Sequence, residues 1–153
     1  MNQKLKFELL WLCFTAVFIA LVMSPIYLGI KTAYPFYLEN ILILLIAITF
    51  GRYLFFLKHH WICYSKWFKL FFVFFPIPVF LYLMDSFYEV QRFFDEEGIR
   101  SIMSDLSVRH QNQLAQYIKT EFIFFLAAAF IANFLLPFKM TRSIYRKKKK
   151  GVD

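Results

Sequence analysis

Glycine, cysteine and histidine are scarce in this sequence, whose 153 residues include four glycines, two cysteines and three histidines. The chain has no P-loop and no dinucleotide-binding glycine pattern, and the HExxH and GxSxG signatures are also missing. Its two cysteines, Cys13 and Cys63, form no CxxC pair, so disulfide-exchange chemistry is not expected. These absences favour a protein that is not an enzyme, and we predict no catalytic residue.

The three histidines all lie outside the long apolar stretches. A haem held between membrane helices by two imidazoles would therefore have no ligands. His59, His60 and Cys63 are the nearest approach to a metal-binding group. Because a tetrahedral site needs three or four ligands, we interpret this segment as a basic interfacial loop. The sequence thus predicts neither a metal nor a cofactor.

Apolar residues, by contrast, are abundant: 60% of the chain is hydrophobic, 22% is aromatic, and the mean hydropathy is +0.54. A soluble domain has roughly 45 to 50% apolar residues. The excess is concentrated in four runs, each long enough at 1.5 Å per residue to cross a hydrocarbon core of about 30 Å. The four predicted spans are residues 9–30, 38–57, 67–88 and 120–138.

These runs predict an all-α integral membrane protein with four transmembrane helices in an antiparallel bundle, forming a single transmembrane domain over residues 1–153. Proline lacks the backbone N–H that a helix needs. We therefore expect Pro76 and Pro78 to kink the third span and Pro137 to close the fourth.

Lysine and arginine are distributed unevenly about the predicted spans. Thirteen of the 18 lie on the side that holds both termini, and five lie on the other side. Because basic residues concentrate in cytoplasmic segments, this predicts that both termini face the cytoplasm. We accordingly expect a multi-pass protein of the cytoplasmic (inner) membrane.

The longest connection, residues 89–118, is predicted to lie outside the cell. It is too short to bury a core of its own. Ile102 and Leu106 recur at helical spacing, as do Leu114 and Ile118. We expect the third helix to extend beyond the membrane, turn near Gly98, and return through an amphipathic helix whose apolar stripe rests on lipid, on the bundle or on a partner.

Three carboxylates and one amide are the ion-facing candidates of the predicted spans. Glu39, Asp85 and Glu121 share one depth near the outer helix ends, with Lys31 and Lys119 available for ion pairing. They could form a cation or proton site, or simply reach water. Asn133 lies deeper in the fourth span, where we expect it to hydrogen-bond across the bundle or between subunits.

Arg52 lies in the inner third of the second span. We expect its side chain to extend to the nearby cytoplasmic surface.

Small residues four apart allow helices to approach closely. They occur in the first, second and fourth spans, as the pairs Ala16 and Ala20, Ala47 and Gly51, and Ala128 and Ala132. The third span has no such pair and is rich in phenylalanine. We therefore expect the third helix to be peripheral.

The final segment, residues 139–153, is a basic tail that follows directly after a span. Its basic residues predict contact with anionic lipid headgroups rather than with nucleic acid. They are Lys139, Arg142, Arg146, Lys147, Lys148, Lys149 and Lys150.

The preferred functional hypothesis is a non-enzymatic subunit or assembly protein of a membrane complex, with a protein partner or a second copy bound. One alternative is a small homo-oligomeric transporter or channel that uses Glu39, Asp85 and Glu121, with Asn133 deeper in the bundle. Another is a lipid-modifying enzyme at the outer interface, built around Asp85, Glu121 and His110.

Overall fold

The computed structural model describes residues 3–30, 34–56, 66–96, 102–103 and 106–149. Side chains are described over a slightly narrower part of these ranges. Gly98, where we predicted a turn, lies outside them, as do Lys31, His59, His60 and Cys63. The described part of the chain is 95% helix and has no strand.

Five helices follow one another along the chain. They are α1 (Gln3–Ile30), α2 (Tyr37–Phe56), α3 (Lys66–Phe74), α4 (Pro76–Glu96) and α5 (Val108–Lys149).

Four helical segments are long and apolar enough to cross a membrane, and α3 with α4 counts as one of them. Large apolar side chains cover their surfaces: Leu28 is 76% exposed, Phe55 76% and Trp67 81%. Hydrocarbon can cover such a surface at no cost, whereas water cannot. The prediction of an all-helical protein with four membrane-spanning segments is therefore confirmed in its helices and their composition.

Where a kink was predicted in the third span, the structure has a break between two helices. α3 ends at Phe74, Phe75 forms a turn, and Pro76 opens α4. Proline is favoured at a first helical position because its missing N–H has no intrahelical partner there. The prediction for Pro137 was wrong, because α5 continues through it to Lys149. The turns beyond Pro137 are held by packing: Met140 is fully buried, and Ser143 bonds to α3.

The larger core cluster lies where α2 and α4 pack against α5. Its fully buried members include Ile43 of α2, Leu83 of α4, and Ala129 and Leu136 of α5. The expectation that the third span is peripheral was therefore wrong. Aromatic side chains fill the interface instead of small ones, as in the contacts of Phe72 with Phe50 and Tyr53.

A second core cluster forms where one half of α1 meets α2 and α5. Met23, Ile26 and Ile30 of α1 are buried there with Leu44 and Ile118. The other half of α1 carries mostly exposed side chains, so α1 is the helix with the least burial.

The connection between α4 and α5 also packs on this cluster, through Ile102, Met103 and Leu106. Gln111 Nε2 donates to the Met103 and Leu106 carbonyls at 3.0 and 2.8 Å. The apolar stripe predicted for this segment thus rests on the bundle in its described part. The amphipathic helix that was predicted to lead back to the fourth span is the first part of α5.

We call the end of the bundle that holds Tyr34 and the start of α2 the connector end. The opposite end, which holds Arg52 and Lys69, is called the basic end.

Candidate functional site

Glu121 of α5 is buried at the connector end and is hydrogen-bonded to α2. The Asn40 carboxamide Nδ2 donates to Glu121 Oε2 over 2.9 Å. Asn40 is fully buried, and Glu121 is 7% exposed. The remaining oxygen of each side chain, Asn40 Oδ1 and Glu121 Oε1, is buried and has no hydrogen-bond partner among the described residues. Two acceptors without a donor are thus left in the interior.

Tyr34 and Glu39 adjoin this pair. Tyr34 is 3% exposed, and its hydroxyl has no hydrogen-bond partner in the described structure. Burial raises the pKa of the Tyr34 hydroxyl above its ordinary value of 10.0, and a negative charge on Glu121 or Glu39 raises it further. Glu39 is half-buried, and its Oε2 also lacks a partner in the described part of the chain. The connector end therefore holds three acceptor oxygens without a donor, and one hydroxyl without a partner, among the described residues.

The third carboxylate of the predicted group, Asp85, is exposed on α4. Among the described residues, no three His, Cys, Asp or Glu side chains come together as a metal site. Lys119 lines a small cavity of about 180 Å³ between α4 and α5, together with Gln91 and Asp95. The structure thus brings Glu121 and Glu39 to the surroundings of Tyr34 and leaves Asp85 outside.

Asn133, the deeper polar residue of α5, hydrogen-bonds across the bundle. Its Nδ2 donates to the Pro76 carbonyl of α4 over 3.0 Å. The side chain is 3% exposed, and its Oδ1 has no partner in the described structure. Pro137 cannot donate to the Asn133 backbone carbonyl, its i−4 position in α5. The side-chain oxygen of Asn133 therefore has no partner in the described structure, and its backbone carbonyl lacks the helical donor that residue 137 would normally supply.

Asn133 also lines an open cavity of about 670 Å³ between α4 and α5. Apart from Asn133 the lining is apolar, and it consists of Val73, Pro76, Ile77, Phe80, Leu81, Phe130, Ile131, Phe134, Leu135, Pro137 and Phe138. We call this cavity the α4–α5 groove. Ile77 and Phe134 on its walls are 62% and 68% exposed, so the groove opens to the surface that lipid would cover.

Arg52 is held inside the basic end rather than extending to the membrane surface as predicted. It forms an ion pair of 3.0 Å with Glu8 of α1, and it donates to the Tyr53 hydroxyl over 3.0 Å. Its side chain is 11% exposed. A partner on another helix removes the need to reach water, because the opposite charge offsets the desolvation of the guanidinium.

The small residues of α1 do not produce a close helix contact within the chain. Ala16 and Ala20 are exposed and line a groove of about 570 Å³ between α1 and α2. A Cβ added at Gly51 would meet nothing within 4 Å. At this level the small side chains leave a gap, because α1 meets α2 through larger groups such as Trp11 against Phe56.

The small residues of α2 and α5 lie in the core. Ala47 and Ala132 are buried in the larger cluster, and Ala128 packs against it. Ala129, which the four-residue spacing did not select, is the most buried alanine of the group. Another close approach was also missed: Gly29 faces Leu114, whose side chain occupies the place of a Cβ.

The basic segment after the fourth span is helical. Lys139, Arg142 and Arg146 are exposed on α5, and their spacing of three and four residues puts them on one helix face. The side chains of Lys147, Lys148 and Lys149 and the whole of Lys150 lie outside the described residues.

Asn40, Lys69 and Ser143 were not selected by sequence reasoning, although the structure makes them central. Lys69 is 1% exposed, and its Nζ donates to Ser143 Oγ over 2.9 Å. Lys69 could have been recognised, because apolar and aromatic residues surround it in α3. Asn40 could not, since a polar residue beside Glu39 at a helix start looks like an ordinary boundary residue.

Comparison of the chain with protein-family models, with curated proteins and with solved structures finds no match.

Proposed function

We propose that this protein is a non-enzymatic subunit or assembly factor of a membrane complex, and that one transmembrane helix of a partner protein docks in the α4–α5 groove. The observation that carries the proposal is the buried Asn133 oxygen, which has no partner among the described residues and belongs to a side chain that lines the groove. An interior acceptor without a donor costs free energy, and a donor that met the oxygen after a small rotation of the Asn133 side chain would remove that cost.

The chemistry of the groove defines its occupant. Lipid acyl chains match the apolar walls but carry no hydrogen-bond donor at the depth of a helix interior. A transmembrane helix with one Ser, Thr, Asn or Gln on an otherwise apolar face supplies both properties. The groove is open along its length and has Pro76 on one wall and Pro137 on the other, and neither proline has a backbone N–H to offer Asn133.

The orientation of the protein is part of the proposal. Contacts of Glu8 with Arg52, of Val22 with Tyr117 and of Lys69 with Ser143 support antiparallel neighbours with both termini on one side. We propose that this side is cytoplasmic in the inner membrane. The basic face of α5, from Lys139 to Arg146, then contacts anionic headgroups of the inner leaflet, each charge contributing about 1 kcal/mol.

Site-specific photocrosslinking in native membranes tests the docking. A benzophenone side chain at Ile77 or Phe134 should crosslink to a discrete partner, and mass spectrometry should map the link to a transmembrane helix. The same probe at Leu28 on α1, which is even more exposed, should give no such product.

Two variants, with one control, then show whether the crosslink requires docking in the groove. Ile77→Trp should fill the groove and abolish the crosslink from Phe134, whereas Leu28→Trp should leave it unchanged. Asn133→Leu should weaken partner binding about 3- to 30-fold, since an interhelical hydrogen bond in membranes contributes about 0.6 to 2 kcal/mol. Links to lipid alone, or to a second copy of this chain, would refute the proposed partner helix.

A further inference from the structure

The Asn40 and Glu121 pair leaves two oxygens, Asn40 Oδ1 and Glu121 Oε1, buried without a donor. An ionised carboxylate can only accept hydrogen bonds, and so can an amide oxygen. With Glu121 ionised, the pair would therefore have one hydrogen bond, two orphaned acceptors and a buried negative charge. Among the described residues no cation forms an ion pair with Glu121.

One proton on Glu121 Oε1 changes this balance. The carboxylic acid gains an O–H donor for the amide oxygen of the side chain to which it is already bonded, while the Asn40 Nδ2 bond to Glu121 Oε2 stays in place. The result is a carboxylic acid–carboxamide ring with two parallel hydrogen bonds. Both orphaned oxygens are then satisfied, and the buried charge is removed.

We propose that Asn40 and Glu121 form a proton-binding site at the connector end of the bundle, in which Glu121 is held as the neutral acid and donates to Asn40 Oδ1. Its ligand is a single proton, exchanged with the aqueous side that this end faces. The site does not depend on the docking of a partner in the α4–α5 groove, which lies at another level of α5.

The neighbours of the pair are suited to such a site. From the segment before α2, Tyr34 is close enough for its hydroxyl to respond to the charge of Glu121. Glu39 of α2 and Tyr117 of α5 are further titratable neighbours among the described residues, and Tyr117 donates to the Val22 carbonyl of α1. From α4, the residues near this level are the buried, uncharged Ser86 and the half-buried Tyr82, whose hydroxyl interacts with Glu39, while Asp85 is exposed. A proton lost from Glu121 would thus leave its charge facing hydroxyls and a second carboxylate.

Infrared spectroscopy of the full chain in phosphatidylcholine vesicles tests the site. Carboxyl groups in water have pKa values of about 4. At about pH 6, a C=O band of a protonated carboxyl therefore reports an acid held neutral by the protein. The wild type should show one such band, shifted by D2O, and Glu121→Gln should remove it. Glu39→Gln, which changes the neighbouring half-buried carboxyl, should leave the band in place.

The Gln variant has a second use. Its amide can replace the acid in the ring, because it donates to Asn40 Oδ1 and accepts from Asn40 Nδ2. We expect Glu121→Gln to unfold at the wild-type temperature and Glu121→Leu to unfold at a lower one. Asn40→Leu should shift the carboxyl band, because the acid loses its acceptor, so the site can be judged even if the Gln variant does not fold.

Absence of the band in the wild type, or its persistence in Glu121→Gln, would overturn the proton site. So would a sodium-dependent rise in thermal stability that Glu121→Gln abolishes, because the oxygens would then hold a cation.

Discussion

Lys69 Nζ of α3 donates a hydrogen bond of 2.9 Å to Ser143 Oγ of α5, and the lysine side chain is 99% buried. The bond joins the short helix before the proline break to the turns of α5 that follow Pro137. It explains why a segment that looked like a tail is part of the folded bundle.

Removing this hydrogen bond should destabilise the protein. Hydrogen bonds to charged groups contribute about 1.5 to 3 kcal/mol, so Ser143→Ala should lower the unfolding free energy by that order. Thermal unfolding in mild detergent, followed by size-exclusion chromatography, measures the change. Ser24→Ala is the control, because Ser24 is bonded only locally, to the Leu21 carbonyl. An unchanged melting temperature for Ser143→Ala would contradict the role of the bond.

The two described glycines within helices should respond oppositely to alanine. Gly51→Ala should be neutral or stabilising by up to about 1 kcal/mol, because alanine is the better helix former and its Cβ meets nothing within 4 Å. Gly29→Ala should bring no gain, because the new Cβ would collide with the Leu114 side chain.

A pair of substitutions tests the contact between Gly29 of α1 and Leu114 of α5. Gly29→Val should be more harmful than Gly29→Ala, and Leu114→Ala should restore part of the loss by vacating the space. Equal effects of Gly29→Val in the presence and absence of Leu114→Ala would show that the two residues are not coupled.

Tyr34 should make stability depend on pH in the alkaline range. Its pKa is raised in the folded protein, so the folded state holds the hydroxyl proton more tightly than the unfolded state. The resulting stabilisation of the folded state is complete below the unfolded pKa of about 10. It is lost progressively as the pH rises above that value. Wild type should therefore lose stability between about pH 10 and pH 11.5 more steeply than Tyr34→Phe. Tyr27→Phe, which removes a hydroxyl at an exposed position, is the control.

Cysteine labelling in intact cells tests the proposed orientation. In a background with Cys13 and Cys63 replaced by Ser, a membrane-impermeant maleimide should label Ser107→Cys from outside. Arg142→Cys should be labelled only after permeabilisation, because α5 would carry the two positions to opposite sides. Labelling of both positions, or of Arg142→Cys alone, in intact cells would contradict both termini being cytoplasmic.

Hydropathy predicted the four apolar helices because the length and composition of a run reflect the solvent around it. It did not predict that α5 extends from Val108 to Lys149, because a helix can continue into water without any apolar signal. The proline break was predictable, since Pro76 affects its own backbone. The continuation of α5 through Pro137 was not predictable, because the contacts that stabilise the following turns come from α3.

The polar contacts depended on partners distant in sequence. Arg52 bonds to Glu8, Asn40 to Glu121 and Asn133 to Pro76, each on a different helix. Helical spacing indicates which residues share a face but not which faces meet. For the same reason the phenylalanine-rich third span was mistaken for a peripheral helix, although aromatic packing makes it part of the core.

The 42 residues of α5 form a continuous helix about 63 Å long, roughly twice the thickness of a hydrocarbon core. One helix therefore reaches from the segment that Gln111 holds at the connector end to the lysine- and arginine-bearing turns at the basic end. Anything that moves the first of these regions acts on the same helix as the second.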